Sequence, residues 1–143
     1  MSGIISSQVD PKRGEIWRVD LNPTVGSEIK KVRPCVVIQR NNWGKLPIRI
    51  VVPITGWKPQ FDRYPWMIQI VADTRNGLDK ASSIDALGVR SVSVERMLSK
   101  IGTIQSSFTD DIATAVARCI GCPAVGIEPE DGETSGEIQR TVF

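Results

Sequence analysis

Two Val/Ile runs, CVVI at residues 35–38 and IVVPI at residues 50–54, stand close together with a short run rich in turn formers, NNWGKLP at 41–47, between them. Short apolar runs bounded by Gly, Pro and Asn read as strands buried on both faces. The run RPCVVIQ is therefore expected as a central strand and IRIVVPIT as its neighbour. Pro53 cannot donate a ladder hydrogen bond, which argues for an edge or a bulge near the end of that second strand.

The flanking sequence extends the pattern. GEIWRVDLNP, residues 14–23, alternates Trp17, Val19 and Leu21 with Arg18 and Asp20 and stops at Asn22-Pro23, as a half-buried strand does. WMIQIV alternates again, RNGLDKASS is a turn around Asn76-Gly77, and SIDALGVRSVSV is extended and interrupted at Gly88. ERMLSK reads as one helical turn and KIGTI as a last short strand. SSFTDDIATAVARCIGCP is the one long amphipathic helix, with Ile112, Ala115, Val116, Cys119 and Ile120 on one face. Asp110 and Asp111 suit its positive end, and Gly121 and Pro123 mark its stop. Many short strands and a single C-terminal helix predict a mainly β fold, a small and strongly bent antiparallel sheet or SH3-like barrel. It is expected to be one domain over residues 11–122, with a flexible N-terminus over 1–10.

Residues 123–143 carry five acids against Arg140, a net −4 that leaves +6 on residues 1–122. Pro, Gly, Glu and Ser dominate that tail, so it is expected to stay disordered. The basic body is compatible with a polyanionic partner. The chain has no histidine, which excludes a Ser-His-Asp triad, a Cys-His pair and the usual zinc and iron sites. Cys35, Cys119 and Cys122 read as reduced, mostly buried thiols, and no metal or cofactor is expected. No apolar run is long enough to span a bilayer and no secretory signal opens the chain, so the expected location is the cytoplasm.

Between the first two strands lies GSEIKKVRPCVVIQ, residues 26–39, with a carboxylate, two lysines and an arginine at the mouth of a buried strand. Taken by themselves, Glu28 reads as an exposed loop carboxylate or a base, and Arg33 as a structural ion pair or a phosphate clamp. Thr55, at the end of a strand, is an ordinary strand former or a hydroxyl aimed at phosphate. The loop aromatics Trp43, Trp57, Phe61, Tyr64 and Trp66 either pack or stack on unpaired bases, with Trp57 beside Lys58 the best exposed pair.

From Arg13 to Gly121, the order RGEIWRVDLNPTVGSE, VRPCVVIQ, VVPITG and RSVSVERMLSKIGTI resembles the MazF/PemK toxins of bacterial toxin-antitoxin pairs. The resemblance implies a CcdB/PemK-type barrel that forms a homodimer, cleaves single-stranded RNA at short specific sequences without a metal, and is blocked by a cognate antitoxin. It places the family's functional positions on Glu28, Arg33 and Thr55. Asp85 in SIDALGVRS matches an acid found before RS or RT in some members once a gap is allowed. GSEIKK replaces the GSEQ of many members, which makes Lys30 and Lys31 candidates for RNA contact alongside Trp57 and Lys58. The alternatives are a non-catalytic toxin that binds a protein such as DNA gyrase, or a plain RNA-binding module of SH3-like form.

Overall fold

Pro53 decides how the sheet is built. The computed structural model describes residues 9–43 and 45–122, so the residues expected to be flexible (except 9 and 10) and the acidic tail over 123–143 lie outside the described residues. Strand β1 spans Glu15–Asp20, β2 Val32–Val37 and β3 Ile48–Gly56. The first pairs antiparallel with the second, and the second with the third, with Cys35 opposite Pro53 and Val37 opposite Val51.

The other edge of β3 carries two strands in succession. Strand β5 (Ser82–Asp85) pairs with Ile54–Gly56, and β6 (Arg90–Ser93) pairs with Ile48–Val51. Between these two ladders the chain leaves the sheet in a 3-10 turn, Ala86–Gly88, opposite the stretch where Pro53 has no N–H to offer. The bulge expected from Pro53 is thus present, and it is the partner strand that bulges.

Strand β4 (Met67–Ile70) adds outside β5, and β7 (Met97–Thr103) pairs with β1. The path β4-β5-β3-β2-β1-β7, with β6 also on β3, is antiparallel throughout and does not close into a ring. Where the sequence pointed to one helical turn over 95–100, the turn covers only Val94–Arg96, and Met97 onward is strand. Its register on β1 shifts twice, after Ile16 and after Arg18.

Alternation along β2 fills two cores. Val36 and Ile38 join Ile16, Val52, Ile54, Ile84 and Ile112 under helix α1 (Ser106–Cys119). Cys35 and Val37 join Val19, Leu21, Val51, Val92 and Met97 on the opposite face. Each fully buried Val or Ile contributes about 1.5–3 kcal/mol, which is why the two apolar runs dominate the architecture. The helix begins at Ser106, so its first turn holds no acid. Asp110 instead pairs with Arg13 at 3.0 Å and ties the helix to the start of β1. Gly121, at φ +80, supplies the left-handed stop.

Candidate active site

The charged loop between β1 and β2 is closed at its base and open at its tip. Lys31, at φ +76, turns the chain back into β2; its N–H donates to Asn22 Oδ1 at 3.1 Å and its carbonyl accepts the Leu21 N–H at 3.1 Å. Nearer the tip, Glu28 Oε1 accepts the Val25 N–H at 2.7 Å and the Glu28 N–H donates to the Val25 carbonyl at 3.2 Å. The Glu28 carboxylate is therefore exposed but oriented.

Arg33 enters β2 opposite Val19 and is half-buried. Its Nε donates to the Lys30 carbonyl at 3.0 Å. Neither terminal nitrogen makes a hydrogen bond or ion pair within the described residues. The structural ion pair is thereby absent among the described residues, and the guanidinium fork is held only by its stem. Extending the β2–β3 register by two residues places Thr55 across from Arg33 on the same face. Thr55 is itself paired with Ser83, and Asp85 lies two residues further along β5, again on that face.

Asp85 caps the 3-10 turn, accepting the Leu87 N–H at 3.1 Å. Burial raises its carboxyl above the usual range, against the opposing pull of the Leu87 and Gly88 N–H groups. The bulge opposite Pro53 and the charged loop together enclose a cleft of about 590 Å³, into which Glu28, Ile29, Asp85, Leu87, Gly88 and Arg90 face. Glu28 and Asp85 thus share one cleft. Arg33 and Thr55 do not line it.

Lys30 and Lys31 are exposed at the loop's exit. Trp57 and Lys58 lie outside the cleft lining. The Trp57 ring meets Phe61 edge-on at 6.1 Å, and Tyr64 stacks on Trp66 at 4.9 Å, so these loop aromatics pack largely against one another. Trp43 is the exception, 55% exposed on the β2–β3 turn. Reading the sequence missed Arg90. An arginine at the head of a strand that follows a broken one was the available signal, but nothing local says that the break faces the charged loop.

Among the described residues no group of three or more His, Cys, Asp or Glu side chains could hold a metal ion, and no helix is long and apolar enough to cross a membrane. A family model described as PemK-like, MazF-like toxin of type II toxin-antitoxin system matches residues 12–120. The chain belongs to that family. Within it, the endoribonuclease MazF9 of Mycobacterium tuberculosis is 34% identical over 102 residues, 67% of this chain and 84% of the relative. The endoribonuclease EndoA of Bacillus subtilis is 33% identical over 106 residues, 73% of this chain and 90% of the relative. The MazF structure from Deinococcus radiodurans superposes with a TM-score of 0.66 at 17% identity, covering 79% of this chain and 98% of that one. A mycobacterial endoribonuclease in complex with its cognate antitoxin gives 0.61 at 18% identity over 79% of this chain and 97% of that one. At such identities these two structures establish the fold, a MazF-type bent sheet with one C-terminal helix.

Proposed function

We propose that this MazF/PemK-family chain is an endoribonuclease that cuts single-stranded RNA without a metal ion, acting as the toxin of a pair whose antitoxin blocks the site. The observation that carries the reading is the pairing of two carboxyl groups, Glu28 and Asp85, in one cleft, at the end of a charged loop whose other end leads into Arg33, an arginine fork with no protein partner among the described residues. The relatives named as endoribonucleases, MazF9 and EndoA, give the reaction class.

In metal-free cleavage the 2′-hydroxyl attacks its own 3′-phosphate. Glu28, oriented by the Val25 N–H, takes the hydroxyl proton as the new P–O bond forms. Arg33 neutralises the negative charge that builds on the phosphorane, and Thr55 across from it offers a hydroxyl to the same phosphate. Asp85, whose carboxyl is held protonated to higher pH by burial, gives its proton to the departing 5′-oxygen. The products are a 2′,3′-cyclic phosphate and a 5′-hydroxyl. Lys30, Lys31, Trp57 and Lys58 are assigned to flanking RNA contacts. The functional unit is assigned as a cytoplasmic homodimer, as the family resemblance implies.

The test is cleavage of unpaired RNA oligonucleotides in excess EDTA with end analysis. Cyclic-phosphate ends are expected. Strict magnesium dependence with 5′-phosphate ends, or no cleavage by folded protein, overturns the reading.

A further inference from the structure

Three consecutive carbonyls at the end of β1 each accept a guanidinium N–H from far along the chain. Arg96 Nη1 donates to the Asp20 carbonyl at 2.9 Å and also to the Asn22 carbonyl, across separations of 76 and 74 residues. Arg90 Nη1 donates to the Leu21 carbonyl between them at 3.2 Å, a separation of 69 residues. These carbonyls are the entry to the loop that carries Glu28. The entry is further tied by the Asn22 N–H to Asp20 Oδ1 at 3.0 Å, and the exit by Lys31 to Asn22. Beyond that base the tip is free: Val25 is 80% exposed, and Gly26, at φ +61, has open space around it.

We infer that Arg90 and Arg96 form a two-pronged clamp that positions the Glu28 loop over the cleft, acting on catalysis through Glu28. Both arginines come from the same broken run of chain that supplies Asp85: after Asp85 ends β5 the chain turns outward over Ala86–Gly88 opposite Pro53, and β6 and the turn after it return the arginines to the end of β1. The two carboxyl groups of the cleft are thereby referenced to one another through a short stretch of backbone. Charged donors on main-chain carbonyls are stronger than neutral ones, and the bonds to Asp20 and Leu21 lie partly out of water, where they hold geometry best, while the one to Asn22 is exposed. Misplacing a catalytic group by about 1 Å can cost on the order of 100-fold in rate, so an exposed loop that carries one depends on a fixed base.

This inference rests on the nuclease reading for its kinetic arm but not for its structural one. The experiment uses the full chain as wild type, Arg90→Ala, Arg96→Ala, Arg96→Lys, Glu28→Ala and Glu28→Ala/Arg96→Ala. In the alanine clamp variants the amides of Val25, Glu28 and Lys31 should exchange with deuterium at least about tenfold faster, by relaxation of a local unit rather than the whole fold. Single-turnover cleavage should fall about 10- to 100-fold with KM changed less than about threefold. Arg96→Lys, which keeps a charged donor able to reach the carbonyls, should recover most of the protection and serves if the alanine variant does not fold. Because the clamp acts through Glu28, the double variant should be no slower than Glu28→Ala alone. Unchanged loop exchange, or a further slowing of Glu28→Ala by Arg96→Ala, overturns the inference. If the wild type cuts no RNA, the nuclease reading falls and loop exchange alone decides the clamp.

Discussion

A methyl group added at Gly88 would lie 2.7 Å from Pro53 Cγ and 3.4 Å from Ile29 Cδ1. The turn that carries Asp85 into the cleft therefore rests directly on the proline ring that caused it, with the charged loop packed on both. Gly88→Ala must push the turn or the loop outward. It should destabilise the protein by about 1–3 kcal/mol, as overpacking does, and slow cleavage per folded molecule as well. A thermal melt with a single-turnover assay checks both, and an unshifted melt would mean the turn yields freely.

Asn76 is 3% exposed and has every local bond a turn asparagine can make. Its Oδ1 accepts the Asp73 and Leu78 N–H groups at 3.1 and 3.0 Å, and its Nδ2 donates to the Val71 carbonyl at 2.9 Å. Backbone from this turn lies against Gly102 of β7, where an added Cβ would sit 2.4 Å from the Asn76 carbonyl. Asn76→Ala removes three part-buried hydrogen bonds whose partners, Asp73, Leu78 and Val71, can partly turn to water, so denaturant unfolding should show a loss of about 1–2 kcal/mol. Gly102→Ala should be at least as damaging, with neither touching the cleft.

What could be read from the sequence was what depends on neighbours along the chain. Pro53 announces a break in its ladder because the missing N–H is its own property, and the periodicity of 106–119 announces a helix. The strand at Met97 was hidden because its stability comes from pairing with β1, and that register shifts twice. Glu28, Arg33 and Thr55 were proposed from motif order, whereas the joining of Glu28 with Asp85 and Arg90 in one cleft depends on contacts about 60 residues apart, which no local pattern encodes. Asp110 was misread because the helix starts one turn earlier than the acids suggest.

Asp85 should leave a signature in stability against pH. Burial raises its folded-state carboxyl above the ordinary 3.8, so the fold favours the protonated form. The stability it contributes is full below that ordinary value and is lost as pH rises through the raised folded value. Asp85→Asn removes the charge that burial disfavours, so its melting temperature relative to wild type should climb across that window and then level off. Its cleavage should fall at every pH, because an amide cannot deliver the proton. A melting difference that stays flat with pH would show that Asp85 is solvated.

Cys35 is fully buried and its thiol is pushed up to about 12, chiefly by burial, with Arg90 and Arg33 pulling weakly the other way. Iodoacetamide at pH 8 should leave Cys35 unmodified in the native protein while the partly exposed Cys119 and Cys122 react. Peptide mass spectrometry reads the three sites separately. Modification of Cys35 at a rate similar to the others would mean that the inner core opens readily.

Arg33 separates a site from a piece of architecture. Its fork has no acidic partner among the described residues, so removing it costs the fold little, whereas a clamped phosphorane loses two directed bonds at once. Arg33→Lys keeps the charge but not the fork. It should be nearly as inactive as Arg33→Ala, down on the order of 100-fold or more, with melting temperatures of both close to wild type. Thr55→Ala should be milder, since the hydroxyl across the ladder assists one phosphate oxygen rather than neutralising charge. Glu28→Ala should reduce cleavage to a small residual rate and leave RNA binding measurable, because a base acts in the chemical step more than in ground-state affinity. Single-turnover rates and melts on these four variants decide the matter: an Arg33→Ala protein that is destabilised yet fully active per folded molecule would make Arg33 a strand anchor and move the phosphate clamp to another residue.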